Sequence, residues 1–116
     1  MRDEERFNLL SGYRAVWLFT LFDLPVLTKT DRRNYTRFRK ALVREGFMML
    51  QLSVYARYCA SEEAAQWYRA RVKAELPPKG QVRLLSVTDR QFGKMEVYFG
   101  EKTEPVEEPP HQYELF

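Results

Sequence analysis

One cysteine and one histidine among 116 residues leave little room for soft-metal or triad chemistry. Cys59 cannot close an internal disulfide, and His111 stands alone in a stretch rich in proline and glutamate. One chain therefore assembles no Cys/His zinc cluster, no Cys-His pair and no Ser-His-Asp triad. Any metal would be a hard ion bound by oxygen. Long apolar runs are missing as well. Nothing approaches the ~20 uninterrupted apolar residues of a bilayer span. Arg2, Asp3, Glu4, Glu5 and Arg6 do not read as the start of a secretory signal. The expectation is a cytoplasmic protein without membrane contact.

What is there is enough for one core. A chain of this length with 45% hydrophobic and 15% aromatic residues suits a single domain of ordinary size. The formal charge of +3 conceals an uneven distribution. Residues 1–12 carry three acids against two bases, and residues 101–116 carry five glutamates against Lys102, so residues 13–100 hold 16 bases and 8 acids. The organisation expected is an N-terminal extension over 1–12, a basic domain over 13–100 and a flexible acidic tail over 101–116. A basic domain points to an anionic partner, nucleic acid first. The tail ends in Tyr113-Glu114-Leu115-Phe116, which suits a docking peptide or an unstructured terminus equally.

Asp23 ends the apolar run that begins at Ala15 and is followed by Leu24-Pro25. A carboxylate at a strand tip has two natural jobs: holding a divalent cation against a phosphodiester, or accepting hydrogen bonds from the turn that Pro25 starts. Both faces of this strand are apolar, with Trp17, Phe19 and Leu21 on the Asp23 side and Val16, Leu18 and Phe22, with Thr20, on the other. Both then need cover, and two candidate helices cover only one. A homodimer is the implied remedy.

The helix expected between Thr28 and Gly46 has Thr28 or Thr30 as N-cap, Asp31 in the first turn and Gly46 at the C-terminal stop. Tyr35, Phe38 and Leu42 recur at helical spacing. Lys29, Arg33, Arg37, Lys40 and Arg44 fall on the opposite side of the wheel, with Arg32 and Arg39 on a flank. Like charges four apart repel by a few tenths of a kcal/mol each, about what the isolated helix would lose, and phosphates would neutralise them.

Residues 47–59 read as two short strands or one bent strand, turning near Gln51-Leu52-Ser53, with Met48, Leu50, Leu52, Val54 and Ala56 on the apolar face and Met49, Gln51, Ser53, Tyr55 and Arg57 on the other. Ser61 caps a second helix to about Leu76, with Ala65, Tyr68, Val72 and Leu76 inward and Arg69 and Lys73 outward, and Pro77-Pro78 stops it. Residues 81–88 read as a strand and 94–99 as a short final one. Asp89 is a second strand-end acid, a candidate further ligand, or a turn residue or ion-pair partner. The order is that of an α+β, ferredoxin-like βαββαβ domain with an additional C-terminal strand.

Five segments, in order, now carry a family resemblance: Val16 to Pro25 (VWLFTLFDLP), Tyr35 to Lys40 (YTRFRK), Gln51 to Arg57 (QLSVYAR), Pro77 to Val82 (PPKGQV) and Thr88 to Gly93 (TDRQFG). Together they resemble the small CRISPR-associated endonuclease, the "Cas-two" family, in the branch of type II systems. The resemblance implies a ferredoxin-like homodimer whose final strand packs on the partner's sheet and which bridges dimers of the CRISPR integrase during spacer acquisition. It implies that Asp23 from each copy binds Mg²⁺ across the two-fold axis and activates water. It also implies that Arg32, Arg33 and Arg37 grip a backbone, with Ser53 and Tyr55 as polar strand positions. Two functions follow: a Mg²⁺-dependent endonuclease on DNA or single-stranded RNA, and a non-catalytic adaptor that binds a prespacer DNA duplex in the integrase complex.

Overall fold

Eight residues, Val16–Asp23, form the strand β1 on which the rest is laid. Alternation along it is strict: Val16, Leu18, Thr20 and Phe22 are buried, whereas Trp17, Phe19 and Leu21 are half-exposed. The structure, a computed structural model, describes residues 14–100, so the N-terminal extension and the acidic tail lie outside the described residues. After β1 come α1 (Lys29–Arg44), β2 (Met48–Gln51), β3 (Val54–Cys59), α2 (Glu62–Lys73), β4 (Gln81–Thr88) and a short α3 (Asp89–Gly93). β1 lies between β3 and β4 in a four-stranded antiparallel sheet of order β2-β3-β1-β4. This is the α+β, ferredoxin-like βαββαβ arrangement.

α1 and α2 cover one face of that sheet. The core there joins Val16, Leu18 and Phe22 of β1 to Tyr35, Phe38 and Leu42 of α1, Tyr55 and Cys59 of β3, and Ala65 and Val72 of α2. Phe22 organises its centre, with edge-on contacts to Tyr35 and Phe38 at centroid distances of 5.9 and 5.3 Å. α1 is stopped at both ends by its own sequence. Thr28 Oγ accepts from the Asp31 N–H at 2.9 Å, and the Asp31 carboxylate accepts from the Thr28 N–H at 3.2 Å, a reciprocal capping box. At the other end Gly46, at φ 90°, and Phe47 donate back to the carbonyls of Val43 and Leu42, each at 3.0 Å. Phe47 and Leu42 both enter the core, which fixes the exit from the helix.

Three sequence expectations need correction. Residues 94–99 form no strand: after β4, Thr88 and Gln91 make a second capping box, which turns the chain into α3 and away from the β4 edge. The segment leaves both free edges of the sheet, at β2 and at β4, unpaired among the described residues. Along β3 the covered face is the one that reads as polar. The register Thr20↔Tyr55 places Tyr55 beneath the helices, and Arg57 lies there too, satisfied by the Glu45 carbonyl at 2.9 Å and the Tyr68 hydroxyl at 2.6 Å. In α2, helix ends at Lys73 rather than near Leu76, which is exposed, and Arg69 turns inward to Ser86 of β4 and Glu62.

Among the described residues the other face of the sheet has no helix across it except α3 at one end. There Phe92 stacks on Trp17 with centroids 3.9 Å apart, and the Trp17 indole N–H donates to Asp89 at 2.8 Å. Phe19, Leu85, Met48 and Tyr58 continue the face outward, and all but Phe19 are exposed. Residues 95–99 add exposed Met95, Val97, Tyr98 and Phe99.

Candidate nucleic-acid interface and strand-end carboxylate

The capping box and the glycine stop set the phase of α1, and the phase sorts its residues. With Tyr35, Phe38, Ala41 and Leu42 buried against the sheet, the opposite side carries the cations. Lys29, Arg32, Arg33, Thr36, Arg37, Lys40 and Arg44 line one open groove of about 570 Å³. Sixteen residues of helix extend it to roughly 24 Å, room for several successive backbone phosphates. All six bases expected from the sequence are brought together here.

They are not equivalent. The Arg32 guanidinium donates to the carbonyls of Val26 and Leu27, at 3.2 and 3.1 Å, and so ties down the loop that leads from β1 into α1. Arg44 reaches Glu75 at 3.4 Å, an exposed pair of little energetic weight. Among the described residues Lys29, Arg33, Arg37 and Lys40 have no carboxylate or hydrogen-bond partner. Four uncompensated charges on one helix face make the groove an anion-attracting surface. Arg39 is half-buried beside it, its Nε without a partner.

Asp23 is exposed at the end of β1, opposite Gln81 in the register with β4. It shares a cavity of about 240 Å³ with Leu21, Phe22, Gln81 and Arg83. Behind it Gly80, at φ 94°, packs against the strand end so closely that a Cβ would stand 2.6 Å from the Asp23 carbonyl. The sequence Pro77-Pro78-Lys79-Gly80 thus holds the Asp23 backbone from the side, and only glycine fits there.

The remaining candidates separate. Ser53 stands at the Asp23 end, where its carbonyl accepts from the Phe22 N–H at 3.1 Å. Its neighbour Leu52 accepts from the Tyr35 hydroxyl at 3.2 Å, and burial pushes the Tyr35 phenol up, opposed by the Ser53 hydrogen bond. Tyr55 is fully buried in the core, its hydroxyl without a partner, so it does not line the surface around Asp23. Asp89 stands at the opposite end of β1: Asp23 pairs with Gln81 but Val16 pairs with Thr88, a strand length of roughly 23 Å away. It cannot share a cation with Asp23 in one chain and instead anchors the Trp17 indole. Gln81 and Arg83 are the neighbours of Asp23 that sequence reasoning missed, because strand pairing alone brings residues 58 and 60 positions apart together.

Among the described residues no three His, Cys, Asp or Glu side chains cluster to hold a metal. The described residues of one chain bring a single open carboxylate to this strand end, a donor that suits Mg²⁺ together with waters and a phosphate oxygen.

Comparison with known proteins bears on the family and the fold. A family model described as "CRISPR associated protein Cas2" matches residues 16–95. The chain is 40% identical over 113 residues to "CRISPR-associated endoribonuclease Cas2" of Flavobacterium psychrophilum, spanning 97% of this chain and 98% of that protein. It is 46% identical over 101 residues to the protein of the same name from Parvibaculum lavamentivorans, spanning 87% of this chain and 100% of that protein. Among solved structures, "Crystal structure of cas2" superposes with a TM-score of 0.53 at 17% identity, covering 82% of this chain and 98% of that one, which supports the fold.

Proposed function

This chain belongs to the Cas2 family, and we propose that it serves CRISPR spacer acquisition as a homodimeric, Mg²⁺-dependent endonuclease that also bridges integrase dimers. The observation that carries the reading is the position of Asp23: an exposed strand-end carboxylate on the sheet face that the helices leave bare. Two copies joined through that face bring two such carboxylates toward one axis. Bound Mg²⁺ would there supply a polarised phosphate oxygen and an acidified water. Asp23 holds the ion, and the α1 groove seats the backbone through Lys29, Arg33, Arg37 and Lys40. The relatives' names state ribonuclease activity, so single-stranded RNA is the first substrate to try and duplex DNA the second.

A second reading keeps the groove and drops the chemistry: a structural adaptor that holds a prespacer duplex between integrase active sites. The single carboxylate per chain favours it. Cleavage of labelled RNA and duplex DNA by wild type and Asp23→Asn, with Mg²⁺ and with EDTA, separates the two. The nuclease loses about a hundredfold or more in rate with Asp23→Asn while still binding. Cleavage that survives both the substitution and EDTA overturns the reading of Asp23 as a metal-holding nuclease centre, and binding without any cleavage establishes the adaptor.

A further inference from the structure

Asp23 faces a chemical difficulty of its own, since a bare carboxylate repels the phosphodiester it is meant to help cleave. The residue that answers it is two positions from the one opposite Asp23. β1 and β4 pair as Asp23↔Gln81 and Leu21↔Arg83, which sets Asp23, Gln81 and Arg83 on the same sheet face with Arg83 diagonal to Asp23. Such a diagonal spans ~7–8 Å between backbones, within reach of a long side chain.

The guanidinium is also aimed. Arg83 donates from one terminal nitrogen to Gln81 Oε1 at 3.3 Å, and Gln81 is the residue directly across from Asp23. That bond draws the Arg83 head toward the strand end. Yet Arg83 and Asp23 make no ion pair, and both line the 240 Å³ cavity between them. A guanidinium carries five N–H donors in a planar fork matched to two oxygens of one phosphate, so several remain for a ligand.

We propose that Arg83, positioned by Gln81, is a phosphate clamp: it binds the non-bridging oxygens of the phosphodiester placed against Asp23 and stabilises the negative charge that grows there in the transition state. The proposal rests on the reading of Asp23 as the nuclease centre. It adds a cation from β4 beside the carboxylate that β1 supplies. Arg83 takes the scissile group, and the α1 cations, on the outer side of the helix layer, hold backbone farther along the strand.

The first test needs no turnover. In ¹⁵N-labelled protein the Arg83 Nε–H cross-peak, assigned by its loss in Arg83→Gln, is followed while a dinucleoside monophosphate is added with Ca²⁺ in place of Mg²⁺. The peak is expected to shift saturably, and Gln81→Ala to weaken that binding severalfold. A peak that stays still at saturation of the α1 resonances overturns the proposal. The second test is kinetic, on wild type, Asp23→Asn, Arg83→Gln and Arg83→Lys, with dimer mass measured by light scattering. Arg83→Gln is expected to lower kcat about a hundredfold with little change in KM or in dimer mass, with partial recovery in Arg83→Lys. Full activity in Arg83→Gln beside an inactive Asp23→Asn overturns the clamp and leaves the nuclease reading intact. Loss of the dimer in Arg83→Gln also overturns it, making Arg83 an interface residue. Full activity in Asp23→Asn sinks the nuclease reading itself, whereas the Arg83 cross-peak still reports whether a phosphodiester binds there.

Discussion

Gly80 shows how a single residue holds the candidate centre in place. Its φ of 94° is costly for any side chain, and a Cβ would meet the Asp23 carbonyl oxygen at 2.6 Å and Leu24 at 2.7 Å. Backbone atoms cannot swing aside as a flexible side chain would. Gly80→Ala is therefore expected to cost about 1–3 kcal/mol of folding stability and to displace Asp23. Urea denaturation and the cleavage or binding assay would register both, and a variant with wild-type stability and function would show that the turn relaxes freely. Cys59 illustrates the opposite case, a residue the site does not use: burial pushes its thiol up and keeps it as a small core side chain.

At the scale of elements, α1 works as a two-sided ruler whose inner face is apolar and whose outer face is cationic. Replacing Arg33 and Arg37 with alanine removes two charges that have no partner among the described residues, so stability should hardly change. Nucleic-acid affinity should fall, and the slope of log affinity against log salt should flatten by about 2. Filter binding at several salt concentrations measures this, and an unchanged slope would remove the groove from the interface. The end of α1 is tied to α2 by a fork: Arg71 donates to both oxygens of Glu45, at 3.0 and 2.6 Å. The hydrogen bond from Arg71 holds the Glu45 carboxyl below the usual carboxylate range, outweighing the opposing effect of burial. A depressed folded pKa stabilises fully above the unfolded value, ~4.3 for Glu, and that contribution is lost as pH falls through the lower folded value. Arg71→Ala should accordingly lower the urea midpoint at pH 7 and make no difference well below pH 4. A gap that persists in acid would trace the effect to the Arg71 stacking on Trp67, with its guanidinium 4.9 Å from the ring centroid, instead.

At the scale of the whole molecule the governing fact is asymmetry of cover. One sheet face has two helices, and the other has Trp17, Phe19, Leu85 and Tyr58 with only α3 over its end. The described residues leave this apolar area exposed, and fully burying one leucine there is worth ~1.5–3 kcal/mol. A second copy that covers this face would also bring the two Asp23 strand ends toward one another and offer residues 94–99 a further sheet edge to pair with. Under the proposed pairing, Leu85→Glu should leave a monomer on light scattering without unfolding the chain, since Leu85 lies on the face away from the helices. A dimer of unchanged mass would place the contact elsewhere.

Much of this was already legible along the chain, because the information is local. Helix caps at Thr28 and Ser61, the glycine stop at Gly46, the strand over 81–88 and the grouping of the α1 cations all depend on spacing within one element, and local sterics settle them. Asp23 stood out for the same reason, as a charge ending an apolar run. The tertiary structure decided whatever depends on pairing between distant segments. It chose the covered face of β3 through the Thr20↔Tyr55 register, which buried Tyr55, and it set Asp89 a strand length from Asp23. It turned residues 89–93 into a helix before any final strand could form, and it brought Gln81 and Arg83 beside Asp23. A slip of one residue moves every side chain of a strand to the other face with little change in local propensity, so only the packed sheet, where one face must meet the helices, selects between the alternatives.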